Sequence, residues 1–211
     1  MLDPTYWLLF FSAALALNLA PGPDLLFVLS RSIAQGRRCG IAASCGVCSG
    51  ALVHVLAAAL GLSAILATSA LAFSVLKWIG AAYLLYIGWQ ALRSAGRSFT
   101  AVEQVAPSGN GWQIYRQGVL VDLLNPKAAI FFMAFLPQFV RPELGHTTLQ
   151  LLGLGMLVIV VAILVELALV LAASQATGLL RRRPAIAAWL ERGMGSLLVA
   201  LGLRLALSEK A

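Results

Sequence analysis

The stretch Asn18-Leu19-Ala20-Pro21-Gly22-Pro23-Asp24 interrupts the first apolar run of the chain, and Asp122-Leu123-Leu124-Asn125-Pro126-Lys127 interrupts the fourth. Each places proline, asparagine and a formal charge where a lipid-facing helix would hold leucine. Proline has no backbone N–H and clashes with the carbonyl four residues earlier, so a helix kinks or unwinds at both places. Inside a bilayer, freed backbone survives only where protein or a water-filled cavity surrounds it. Two breaks, one in each half of the chain, point to a transporter whose substrate site is made by discontinuous helices.

The composition around the breaks agrees with a bilayer. Of 211 residues, 61% are hydrophobic and 11% charged, and the mean hydropathy is +0.91. A soluble domain carries about 25% charged residues. Apolar spans are expected at residues 6–29, 41–66, 70–92, 114–139, 149–173 and 187–207, each near the roughly 20 residues a helix needs to cross hydrocarbon. The whole chain, 1–211, then reads as one transmembrane domain, with no room for a catalytic module, so no enzyme is expected. Span one is too long for a cleavable signal peptide and has only Asp3 before it, with no basic region.

The net charge of +7 is no nucleic-acid footprint, because the arginines cluster at span ends. Arg31, Arg37 and Arg38 lie between spans one and two; Arg93, Arg97 and Arg116 between three and four; Arg181, Arg182 and Arg183 between five and six. The opposite loops carry no lysine or arginine at Thr68 and Ser69 and only Arg141 after span four, with Lys77 just inside span three. The excess of positive charge on one side places the first, third and fifth loops in the cytoplasm and both termini outside. Arg204 and Lys210 near the C-terminus weigh slightly against this.

Spans one to three and four to six form two units, residues 1–93 and 113–211, joined by a linker over 94–112 that contains Pro107-Ser108-Gly109-Asn110-Gly111. An odd number of crossings per unit inverts the second unit relative to the first. The broken spans one and four then run antiparallel, the trace of an inverted repeat. The expected fold is all-α and integral to the membrane: six helices in two inverted three-helix repeats, with helices one and four broken at proline. In span two, Gly46 and Gly50 have the spacing that lets helices approach closely in lipid.

A charge near the bilayer centre costs about 2.5–3.5 kcal/mol on insertion scales, so Asp24, His54, Lys77, Asp122, Lys127 and Glu166 need reasons to be there. Lys77 can snorkel to the interface. Pro126 frees the carbonyl of Asp122, and the half-helix beginning near Lys127 offers unpaired N–H groups. An anion with free carbonyls beside a cation with helix N-terminal donors is complementary to a zwitterion. Asp122, Asn125 and the carbonyls suit an ammonium, and Lys127 with the half-helix suits a carboxylate. Span one repeats the offer: Pro21 frees the Leu17 carbonyl, Gly22 permits unusual backbone angles, and Asn18, Pro23 and Asp24 flank them. The plainer alternative is that Asp24, Asp122 and Lys127 only satisfy one another as ion pairs. Glu166 is either a partner of Lys127 or a proton carrier, and His54 either a hydrogen-bonded interior residue or a proton-coupling group.

His54 and His146 are the only histidines, too few for a histidine-based metal site. Cys45-x-x-Cys48 has redox spacing. With Cys39 it sits on one helix, and the second half has no cysteine to exchange with, so these read as small packing residues. No metal or cofactor is expected. A transmembrane thiol–disulfide oxidoreductase stays as an alternative, as does a divalent-cation exporter, against which Lys127 argues by repulsion.

Several runs resemble one family in order along nearly the whole chain. They are Pro21-Gly22-Pro23-Asp24 with Ser30-Arg31-Ser32 and Gly36, and Gly46-x-x-x-Gly50-x-x-x-His54 with Gly61-Leu62-Ser63. They continue with Lys77-x-x-Gly80-Ala81-x-Tyr83-Leu84-x-Tyr86-x-Gly88, Asn125-Pro126-Lys127-Ala128-Ala129-x-Phe131-Phe132 and Pro137-Gln138-Phe139. This set resembles the lysine-exporter / homoserine–threonine-efflux (LysE/RhtB) family, and looks closer to its homoserine/threonine branch than to its lysine or arginine exporters. The resemblance implies a homodimeric, multi-pass exporter of amino acids or close derivatives in the bacterial inner membrane, driven by the proton gradient. The expected mechanism is alternating access by proton antiport, with Asp122 or Glu166 exchanging a proton for the substrate ammonium. The expected partners are a small-molecule amino acid and the lipid bilayer.

Overall fold

The computed structural model describes residues 4–68, 70–93, 109–182 and 184–207. Residues 94–108 of the expected 94–112 linker, including Arg97, Pro107 and Ser108, lie outside the described residues, as do Asp3, Ser69, Arg183 and Lys210, while Gly111 and Trp112 already belong to a helix.

Every regular element among the described residues is helical. The first break separates α1 (Pro4–Leu19) from α2 (Pro23–Gln35), with a bend of 56°. α2 ends where Gly36 takes φ +82°, a conformation glycine adopts without penalty. Two long helices follow, α3 (Arg37–Thr68) and α4 (Ala70–Arg93). The second break separates α5 (Gly111–Leu123) from α6 (Pro126–Ile130), and the limb Pro126–Phe139 is bent by 50° from α5. Asn110 starts α5 with a reciprocal cap, accepting from the Gln113 N–H while the Gln113 side chain accepts from its own.

Beyond α6 the second limb becomes π-helical over Phe131–Phe135 and 3-10 over Leu136–Phe139. Pro137 supplies no N–H to the turn before it, so the hydrogen-bonding pattern changes around it. A short 3-10 turn at Pro142–Leu144 leads to α7 (Thr147–Arg182) and α8 (Pro184–Leu207).

Among the described residues, Arg37–Gly61 and Thr147–Ala173 are each long and apolar enough to cross a membrane. Counting each bent pair as one broken span gives up to four candidates. α4 and α8 lie where the remaining two spans are expected.

α3 is the central helix and packs on α5, α7 and α2, while α4 packs on α8. Glycine makes the first of these contacts possible. A Cβ on Gly46 would run into the Tyr115 carbonyl, and one on Gly50 would stand 2.8 Å from Asp122 Cβ and 2.9 Å from the Val119 carbonyl. From the other side, a Cβ on Gly118 would lie 2.6 Å from the Ala43 carbonyl. The close approach expected of Gly46 and Gly50 is therefore present, and its partner is α5. The core is aromatic where the second limb meets α1: Phe10, Phe131 and Phe132 are fully buried. Tyr6 donates its hydroxyl to the Phe139 carbonyl at 2.6 Å, tying the N-terminal end of α1 to the end of that limb.

Candidate functional site: a lysine joining two broken helices

The two breaks meet through one side chain. Lys127, on the first turn of α6, is 5% exposed and reaches to the first break. Its Nζ lies 2.9 Å from Asp24 Oδ2 and donates to the carbonyls of Leu17 at 3.1 Å and Ala20 at 3.0 Å. An ammonium has three N–H donors, so all three are engaged. The Leu17 carbonyl is the one that Pro21 frees, and it belongs to the negative, C-terminal end of α1. The break thus creates the acceptors that hold the lysine.

Gly22 is needed here for room. Its backbone, φ −156° and ψ 174°, is extended, so the expectation of unusual angles is not met. A Cβ at Gly22 would instead stand 2.6 Å from Asp24 Oδ1 and 2.7 Å from Lys127 Nζ. Asn18 is buried and donates to the Ala14 carbonyl at 2.7 Å. Pro23 opens α2 and Asp24 sits in its first turn, where a carboxylate also favours the positive end of the helix.

At the second break, Asn125 caps α6 by accepting from the Lys127 N–H at 3.0 Å, and Pro126 occupies the first helical position. The helix N-terminus expected to be open therefore has its own cap. The Asp122 carbonyl is 3.0 Å from His54 Nε2. A carbonyl can only accept, so Nε2 carries a proton. His54 is buried, with its ring stacked on Phe132 at 6.3 Å: it is a hydrogen-bonded interior residue, and its bond is to the break itself.

Three buried polar atoms in these breaks have no hydrogen-bond partner: Asp24 Oδ1, Asp122 Oδ2 and Asn125 Nδ2. Leaving such groups unpaired costs about 1–3 kcal/mol each, more when charged, and each calls for an explanation. A cavity of about 20 Å³ lies between the breaks, with Asn18, Asp24, Asp122, Lys127 and Glu166 among its walls. It has room for one water molecule and none for an amino acid. The described conformation is closed around this point.

Glu166, 3% exposed on α7, does not pair with Lys127; it accepts from Cys48 Sγ at 3.9 Å, with Ser44 beside it. Cys45 is exposed and Cys48 buried, and neither forms a disulfide. Lys77 is 8% exposed, and its Nζ lies 5.7 Å from the neighbouring Trp78 ring. Among the described residues no group of three or more His, Cys, Asp and Glu side chains is placed to hold a metal ion.

Sequence reasoning missed the walls of this site. Val47, Cys48 and Ala51 of α3, and Val158, Ile159 and Ala162 of α7, line the cavity beside Glu166, which the sequence had singled out. Their spacing of three and four residues marks one face of a helix. In helices apolar all round, that periodicity carries no contrast to read.

The LysE type translocator family model matches residues 15–209. The chain belongs to this family. An uncharacterized membrane protein of Pseudomonas aeruginosa is 37% identical over 191 residues, covering 89% of this chain and 88% of the relative. A homoserine/homoserine lactone efflux protein of Salmonella typhimurium is 31% identical, covering 98% of each chain. A leucine efflux protein of the same organism is 35% identical over 146 residues, 67% of this chain and 66% of the relative. No solved structure matches. The family is one of translocators rather than enzymes, which agrees with an apolar helical chain that has amino-acid efflux relatives. This LysE type chain is accordingly a membrane translocator with amino-acid efflux as its supported activity.

Proposed function

We propose that this translocator exports a neutral amino acid or a close derivative, homoserine- or threonine-like, across the bacterial inner membrane by proton antiport. The chain would cross the bilayer six times as two inverted repeats, residues 1–93 and 113–211, with both termini outside, and work as a homodimer. The observation that carries the reading is the set of unpaired buried atoms at the two breaks, two carboxylate oxygens and one amide N–H. A zwitterion satisfies both kinds. Its ammonium goes to Asp122 Oδ2 and Asp24 Oδ1, and its carboxylate to Asn125 Nδ2 and Lys127.

In the closed state Asp24 stands where the cargo carboxylate would go, on Lys127. Cargo entry then exchanges one carboxylate for another on the same ammonium, and Asp24 is freed to turn toward the cargo's own ammonium. That exchange loosens α1 and α2 from α6, because Lys127 is what joins them. Asn18, Pro21, Gly22 and Pro23 shape the first break, and Asn125 and Pro126 the second. Buried carboxyl groups are costly as uncompensated charges, so Asp122 and Glu166 would carry either protons or the cargo's positive charge, never neither. Exchange of one for the other is antiport, with His54 next to Asp122 on the path.

The homoserine and leucine efflux relatives support the substrate class. A bacterium lacking its own exporters, expressing this chain, should survive toxic homoserine, threonine or leucine better than one with an empty vector. Equal growth on all of them, with the protein present in the membrane, would refute amino-acid export.

A further inference from the structure

A second polar cavity, of about 340 Å³, opens at the other end of the second limb, between the start of α1, the turn after Phe139 and the end of α8. It shares no wall residue with the cavity between the breaks, but the two are linked by one element. Lys127 lies at one end of Pro126–Phe139 and Gln138 at the other, roughly 16 Å apart along a helix. Its walls include Arg141, Glu143, Arg204 and Gln138. Gln138 Nε2 is buried and has no hydrogen-bond partner. Arg204 and Glu143 form no ion pair with any described residue, although both line the same space. Arg141 packs its guanidinium over the Tyr6 ring at 4.5 Å, which fixes its position at the rim. Leu9, Phe135 and Leu201 supply an apolar wall.

We infer that this cavity is a second binding site for the cargo, on the release side, selective for amino acids with uncharged side chains. This rests on the export reading above. The volume is that of a small-molecule pocket, in contrast to the one-water space between the breaks. A carboxylate is matched by Arg204, Arg141 and the Gln138 amide, which form charge-assisted hydrogen bonds, and an ammonium by Glu143. A zwitterion uses both signs. The remaining balance is two guanidinium groups against one carboxylate, which repels a lysine or arginine side chain, while the leucine and phenylalanine wall accepts an apolar or short neutral one. Both termini are placed outside by the arginine distribution, and this cavity lies at the α1 N-terminus and the α8 C-terminus, so cargo leaving the breaks along the second limb would reach it before bulk water.

Counterflow in washed cells loaded with labelled L-leucine or L-homoserine tests this. The external concentration of the same unlabelled amino acid giving half-maximal exchange is compared with the internal one. Arg204→Gln and Glu143→Gln, both exposed side chains, should each raise the external value about tenfold and leave the internal value within twofold. Arg204→Lys should recover most of the loss, and Arg116→Gln, outside this cavity, should change neither. An unchanged external value at normal membrane abundance, or an equal rise on both faces, overturns the second site while wild-type exchange leaves the export reading standing. Wild-type protein that exchanges neither amino acid overturns the export reading and this site with it.

Discussion

Lys127 spends its three donors on Asp24, Leu17 and Ala20, and this makes its removal both a structural and a functional change. Lys127→Met leaves Asp24 buried without a partner, which costs about 3–5 kcal/mol for a broken buried pair. The double variant Asp24→Asn with Lys127→Met removes both charges and should recover most of that stability without recovering export. Thermal unfolding in detergent and efflux of labelled homoserine, measured on the singles and the double, separate the two effects. A double variant that exports normally would show that the pair only holds the bundle together. Gly22→Ala is a gentler probe. Its Cβ would press on Asp24 Oδ1 and Lys127 Nζ at 2.6 and 2.7 Å, both ends of flexible side chains. Overpacking of this kind costs about 1–3 kcal/mol. Efflux should fall more than abundance, and full efflux would contradict the placement of Lys127.

At the scale of elements, the seam between α3 and α5 depends on missing side chains. Gly46→Ala and Gly118→Ala would each drive a methyl into the facing backbone. Backbone cannot rotate away, so each should destabilise by about 1–3 kcal/mol. Gly153→Ala meets nothing within 4 Å and should be neutral or stabilising by about 0.5–1 kcal/mol, the helix-interior advantage of alanine. Melting temperatures of the three variants check this, and equal effects would contradict the seam. The breaks and Gly46 with Gly50 were legible in the sequence because proline and glycine act locally, on their own turn and the one before. Which of Asp24, Asp122 and Glu166 pairs with Lys127 was not. Asp24 lies more than a hundred positions away, and Asp122, close in sequence, offered the same charge. The cap on α6 was also missed: the Asn125 side-chain oxygen, read as an acceptor for the substrate ammonium, already accepts from the Lys127 N–H. Cys48 beside Glu166 could not be foreseen, since α3 and α7 carry no polar stripe to show which faces meet.

For the whole molecule, the arginine distribution predicts that a periplasm-active reporter fused after Ala211 is active and one inserted at Gly109 is silent; the reverse pattern would invert the orientation and the release side with it. Cys39, Cys45 and Cys48 are free thiols at three different depths of burial, so replacing all three by Ala should leave efflux near wild type. Loss of efflux at normal abundance would restore a thiol mechanism. The most direct measurement is of the purified protein in liposomes carrying an internal pH indicator. Labelled L-homoserine or L-leucine leaving the vesicle should be matched by protons entering it, and Asp122→Asn should abolish both movements together while the protein stays folded. Efflux without any proton movement, or an Asp122→Asn variant that still couples the two, would contradict a site in which the cargo's ammonium and a proton take turns at the second break.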